Sequence, residues 1–72
     1  ALRNIRANAV APGMVKTDMT EKMSERRQSE FTDQIPLKRF AEPTEIADAV
    51  AFLVGNQYIT GQVITVDGGL TI

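Results

Sequence analysis

The stretch "NAVAPGMVKTDM", residues 8–19, opens like a buried strand and is cut short by Pro12-Gly13. Just upstream, residues 5–11 read "IRANAVA", which in an extended chain sets Ile5, Ala7, Ala9 and Ala11 on one side and Arg6, Asn8 and Val10 on the other. The first side is wholly small and apolar, open to close approach by a helix or another backbone. Val10 marks the second side as partly buried too, as parallel strands are. Pro12 has no N–H for a neighbouring strand and Gly13 allows backbone angles closed to other residues. The sequence therefore predicts that the ladder stops at Pro12 and the chain turns sharply.

Beyond the turn, Asp18 and Glu21 have the spacing of a helix N-cap and its partner three residues on, which predicts a helix from about Met19. Its apolar face is thin. Met19, Met23 and Phe31 stand among Glu21, Lys22, Glu25, Arg26, Arg27 and Glu30, the pattern of a loosely docked, mostly solvated segment in which Ser24 can start a second short helix. "IPLKRF", residues 35–40, breaks the helical pattern, and Pro36 biases Ile35 toward an extended conformation. A stronger helix follows, with Pro43 as its first residue, Glu45 in its first turn and Gly55 just past its end. Ile46, Val50, Leu53 and Val54 give it an apolar stripe for packing on a core, and Ala47, Ala49 and Ala51 permit close approach. Last comes a β-branched strand, Gln62 to Val66, ended by Asp67-Gly68-Gly69. Strand, helical segment, helix, strand is the order of a crossover unit with two parallel strands.

Composition excludes several function classes. Eight basic and nine acidic residues leave a formal net charge of −1, which gives nucleic acid or an anionic membrane no electrostatic hold, and neither is expected as a partner. There is no Cys and no His, so disulfides, thiolate nucleophiles, the usual zinc ligands and a Ser-His-Asp triad are all missing, and no metal site is expected. No apolar run has the length of a membrane span, and "ALRNIRANAV" lacks the hydrophobic stretch and cleavage pattern of a signal peptide. With no cysteine, a reducing compartment fits, and the expectation is a soluble, cytoplasmic protein. Ordering these residues costs on the order of 110 kcal/mol, while apolar burial in an ideally compact globule contributes about 105 kcal/mol. Any open arrangement therefore needs neighbours. A parallel sheet needs cover on both faces, and one strong helix with one weak one does not supply it, so residues 1–72 read as a piece of a larger α/β domain.

Four fragments occur in a telling order: "NAVAPG", then Thr17-Asp18, then "IPLKRFAEPTEIADAVAFL" (residues 35–53), then "YITGQVITVDGG" (residues 58–69). From about Asn4 to Gly69 the chain resembles the C-terminal part of a short-chain dehydrogenase/reductase, above all the bacterial 3-oxoacyl-[acyl-carrier-protein] reductases. The resemblance implies an α/β fold, the C-terminal part of a doubly wound, parallel-sheet, Rossmann-like domain built as strand, helical lid segment, helix and strand. It implies NADP as cofactor, with NAD as the alternative, an acyl-carrier-protein thioester as substrate, and a homotetramer in fatty acid biosynthesis. Pro12, Gly13, Val15 and Thr17 would then be the cofactor contacts. In this family the backbone at the position of Val15 holds the nicotinamide carboxamide, the hydroxyl at Thr17 turns toward the carboxamide or diphosphate, and Gly13 lets the backbone approach the ring. Independently, ligands of open α/β sheets bind beyond the carboxyl ends of strands, where Pro12-Gly13 falls.

Blander readings stand beside these. Pro12-Gly13 can be only a turn, Val15 a packing residue, and Thr17 a second cap next to Asp18, which is itself assigned to capping. Met14, Met19, Met23 and Phe31 fit an acyl pocket or ordinary packing equally well. The family's catalytic Tyr is followed four residues later by Lys; position 62 is Gln62, so Tyr58 is read instead as a half-buried aromatic at the entrance to the last strand. The glycines do not form a Gly-x-x-x-Gly-x-Gly phosphate loop. No catalytic residue is assigned, and the chain alone is expected to be inactive. Two alternatives remain: a non-catalytic folding or oligomerisation element acting through its strong helix and last strand, or part of a dehydrogenase for a sugar, steroid or alcohol.

Overall fold

A computed structural model describes residues 5–71; the first four residues of the N-terminal stretch lie outside them. The element order is β1 (Ala9–Pro12), α1 (Asp18–Glu21), α2 (Glu25–Thr32), α3 (Pro43–Gly55) and β2 (Val63–Val66). β1 and β2 pair in parallel, with Ala9 opposite Val63 and Pro12 opposite Val66. The fold is α/β with a parallel sheet, as expected for a Rossmann-like part.

The strand begins later than the alternation predicts, because its partner does. Gly61 takes φ +72°, which turns the chain before residue 63 and leaves residues 5–8 a single backbone bond across, from Gly61 N–H to Ala7 O at 2.8 Å, in place of a regular ladder. Side chains replace it there: Asn8 Oδ1 accepts from the Gln62 N–H at 3.0 Å, and Asn8 Nδ2 donates to the Ile59 carbonyl at 3.1 Å. At the other end β1 ends on Pro12, as predicted, although Pro12 is itself paired with Val66. Ala9 N–H donates to Gln62 O and Gly13 N–H to Val66 O, each at 2.9 Å. Alternation along a strand then aims the Pro12 nitrogen at the opposite edge, where β2 asks nothing of it.

α3 packs against both strands, on the face that carries Val10 and Ile64 rather than the alanine face. Arg6, on the same side as Val10, explains part of that choice. Its guanidinium donates to the carbonyls of Leu53 at 2.9 Å, Val54 at 3.0 Å and Ile59 at 3.2 Å, capping the negative end of α3 with a charge. Ala7 and Ala9, with Val63 beside them, stay exposed. The helix runs one residue further than predicted, ending on Gly55, with Asn56 as its C-cap.

Burial is scarce. Only Ile35 and Leu53 are buried among the described residues, while Val50, Val54 and Phe52 on α3 are exposed. The radius of gyration is 15.0 Å, against about 11 Å for a compact domain of this length. α1 and α2 contain no buried residue, in keeping with the thin apolar face read from sequence. Tyr58, expected to be half-buried, is fully exposed; it lies in the short connection between α3 and β2, where nothing among the described residues covers it.

The best-sealed contact joins the segment after α2 to the end of β2. Asp67 gathers a turn, accepting from the N–H groups of Gly69 at 3.0 Å and Thr71 at 3.1 Å and from the Thr71 hydroxyl at 2.6 Å. In that turn Gly68 has φ +64°, and a Cβ there would stand 2.8 Å from Ile35 Cγ2. Gly68→Ala is therefore expected to lower stability by about 1–3 kcal/mol through backbone strain and the lost fit. Gly55→Ala, in a helical position with nothing within 4 Å of the added carbon, should raise it by about 0.5–1 kcal/mol. Opposite shifts of the urea unfolding midpoint would show both; a neutral Gly68→Ala would refute the packing account.

Candidate functional site

The carboxyl end of β1 runs straight into the sequence-predicted site. Pro12 closes the strand, and Gly13 lies so near the Asp67 backbone that a Cβ would sit 2.6 Å from Asp67 Cβ and 2.8 Å from its Cα. Glycine at position 13 is thus required by the neighbouring turn, a reason the sequence alone did not reveal.

Residues 14–16 then pair, as a single parallel bridge at Val15, with Ala41. Ala41 N–H donates to Met14 O at 2.9 Å, and Lys16 N–H donates to Ala41 O at 2.8 Å. Both bonds belong to the neighbours of Val15. Because successive residues of an extended chain aim their polar groups to opposite sides, the N–H and C=O of Val15 itself face away from Ala41. Neither has a hydrogen-bond partner among the described residues, although Val15 is half-buried. One donor and one acceptor on a single residue complement a primary carboxamide, which offers one C=O and one N–H₂.

Thr17 follows in an extended conformation, φ −139° and ψ 174°, and it caps α1. Its hydroxyl accepts from Thr20 N–H at 3.3 Å, while its own N–H donates to Thr20 Oγ1 at 2.8 Å. This corrects the assignment of Asp18, which is the first helical residue and not the cap. The reason is reciprocity: Thr20 can return a hydroxyl to residue 17, and Glu21 serves no such partner. As an acceptor in this cap, the Thr17 hydroxyl keeps its proton free to donate.

Supporting groups lie behind the bridge. Glu45, in the first turn of α3, accepts from both ends of the Arg39 guanidinium, at 2.6 and 2.8 Å, and from the Glu42 N–H at 2.8 Å. Lys16 Nζ stands 3.7 Å from Glu42 Oε1. Arg39, Glu45 and Asp67 share with Met14, Leu37 and Val66 a cavity of about 100 Å³ behind the strand ends. Of the proposed acyl-pocket residues, Met14 lines this cavity, Met23 and Phe31 are half-buried, and Met19 is 79% exposed. Among the described residues no group of His, Cys, Asp and Glu side chains could hold a metal ion, and no helix is long and apolar enough to cross a membrane.

The Arg39 guanidinium, with help from the Glu42 N–H, holds the Glu45 carboxyl down to about 2. A carboxyl lowered on folding stabilises the folded form above its ordinary pKa and loses that contribution as pH falls. The bracing by Glu45 should therefore be intact above pH 4.5 and fade toward pH 2. A ¹³C titration of the Glu45 carboxyl should show a midpoint near 2, moved up toward the normal range by Arg39→Met. An ordinary midpoint with Arg39 present would contradict the pairing.

Comparison with known proteins identifies the family. The family profile described as enoyl-(acyl carrier protein) reductase matches residues 1–71. A 3-oxoacyl-[acyl-carrier-protein] reductase of Thermotoga maritima is 51% identical over 97% of this chain and 29% of its own length. Carbonyl reductase family member 4 of Xenopus laevis is also 51% identical, over 100% of this chain and 29% of its own length. Among solved structures, a 3-hydroxyacyl-CoA dehydrogenase type-2 from Mycobacterium avium superposes with a TM-score of 0.88 at 43% identity, covering 93% of this chain and 26% of that one. The chain thus spans under a third of the length of the curated relatives it matches. With a family profile matched over residues 1–71, half of its residues shared with such oxidoreductases and a parallel strand pair in keeping with them, this chain belongs to the short-chain dehydrogenase/reductase family.

Proposed function

We propose that this chain works as the C-terminal segment of an NADP-dependent reductase that converts a 3-oxoacyl-[acyl-carrier-protein] thioester to the 3-hydroxyacyl product. The observation that carries the reading is the Val15 peptide, half-buried and without a partner, next to a Thr17 hydroxyl with a proton to give. The residues present fit a nicotinamide carboxamide. Val15 N–H would donate to the carboxamide oxygen and Val15 C=O accept from its nitrogen, which fixes which face of the ring meets the substrate. Thr17 O–H would donate to the same carboxamide or to a diphosphate oxygen. When bound, the nicotinamide supplies the hydride. The proton for the substrate oxygen comes from a Tyr outside these 72 residues, and the chain contributes orientation and cover rather than acid–base chemistry. α1 and α2, joined where Gln28 Nε2 donates to the carbonyls of Thr20 at 2.8 Å and Met23 at 3.1 Å, form the flap over the substrate.

The 51% identity to an acyl-carrier-protein reductase supports the thioester substrate, and the equal identity of a carbonyl reductase supports another carbonyl substrate as the second reading. Phe52, Val54 and Val63 on α3 and β2 are exposed and call for cover, by the rest of the domain or by a second copy in a homotetramer; a cytoplasmic homotetramer is part of the proposal. The test uses the longer protein that carries this segment, with NADPH and NADH offered beside a 3-oxoacyl thioester and a simple ketone. NADPH-dependent thioester reduction is expected, with the 72-residue chain alone giving no turnover. Thr17→Val should weaken cofactor binding about fivefold, the loss of one hydrogen bond of roughly 1 kcal/mol, and Thr17→Ser should retain it. Turnover by the isolated chain, or reduction of the ketone alone, would overturn the corresponding part.

A further inference from the structure

Val15 is aimed by a chain of contacts that leads back to one ion pair. Its flanking residues hang on the two backbone bonds of Ala41, so the placing of Ala41 decides where the Val15 N–H and C=O point. Ala41 sits in an irregular segment that follows Lys38, whose φ of 62° is costly for a residue with a side chain. That segment has two fixed points on α3, both supplied by one carboxylate. Glu45 Oε1 takes Arg39 Nη1 at 2.6 Å and Glu42 N–H at 2.8 Å, and Oε2 takes Arg39 Nη2 at 2.8 Å. Phe40 and Ala41 lie between the two ties. α3 in turn packs on both strands, so Glu45 transmits a rigid reference to the bridge.

We infer that the Arg39–Glu45 pair is a positioning device for the Val15 peptide, and that it sets the affinity for the nicotinamide half of the cofactor and not for the nucleotide half. The inference rests on the cofactor reading above. A merely stabilising role is a poor account of this pair. Its side chains are 55% and 39% exposed, and exposed ion pairs add little to global stability. What a two-pronged guanidinium–carboxylate contact adds is direction, which a lysine's point charge does not reproduce.

The experiment takes the longer reductase that carries this segment and titrates two ligands by fluorescence or calorimetry: the reduced dinucleotide that the wild type binds, and the matching ADP-ribose nucleotide without nicotinamide. Arg39→Lys and Glu45→Gln should each weaken the dinucleotide about threefold to tenfold, while affinity for the truncated nucleotide changes less than about twofold. Glu45→Gln keeps an acceptor oxygen for the Glu42 N–H and carries the test where Arg39→Lys fails to fold. Equal weakening of both ligands, or no weakening of either, would overturn the positioning role. A wild type that binds neither ligand would instead remove the cofactor reading, and the inference with it.

Discussion

Two turns leave the carboxyl ends of β1 and β2 and meet almost backbone to backbone, Gly13 against Asp67, with space for no Cβ at position 13. Much else follows from that closeness. Parallel pairing of the strands brings the turns together, and Asp67 then folds its own turn by accepting three hydrogen bonds, chiefly from Thr71. The Thr71 hydroxyl is also the main reason the Asp67 carboxyl stays below its ordinary pKa, so the turn is held by a charged acceptor. On the far side of that turn Gly68 receives Ile35, the most buried residue described, and Leu37 N–H bonds to Gly68 O at 3.1 Å. The segment after α2 is thus fixed to the sheet, while α1 and α2 before it bury no residue.

The same geometry leaves much of the assembly open. One face of the strand pair carries exposed Ala9 and Val63, and α3 turns Phe52 and Val54 outward. Between β1 and α3, Arg6, Asn8, Val10, Val50, Leu53 and Val54 line a groove of about 450 Å³. Exposed apolar surface on this scale marks sites that other protein covers. Arg6 shows how the fold keeps its shape meanwhile: three carbonyl contacts at the end of α3 tie helix to strand through charge and hydrogen bonds where apolar burial is thin.

Side-chain pattern made the elements legible and left the site only half so. Pro43 at the helix start, Ser24 before α2, the β-branched run of β2 and its Asp-Gly-Gly stop each act locally, and each was readable. What the pattern left open or misplaced shares a cause. The choice of sheet face depended on Arg6 reaching carbonyls 47 and 48 residues away, and the cap on α1 depended on whether Thr20 or Glu21 could reciprocate. Val15 was singled out by resemblance alone, since an unpaired peptide has no side-chain signature and any residue can carry one. Its signal lies at Ala41, whose backbone uses up the neighbours' bonds and leaves Val15 its own.

Thr17 shows why structural and functional roles need not compete for one residue. A hydroxyl has one proton and two lone pairs, and capping draws on a lone pair only. Thr20 takes the other part of the exchange, donating its own proton to Thr17 O at 2.8 Å while accepting from Thr17 N–H. The proton left over in this pair is therefore the one on Thr17. Because the cap also fixes Thr17 in an extended conformation directly after the bridge, that proton sits two residues from the free Val15 peptide on a backbone that cannot readily swing away. Capping α1 and the proposed presentation of a donor to a ligand draw on the same constraint, and the short helix is what keeps the donor in place.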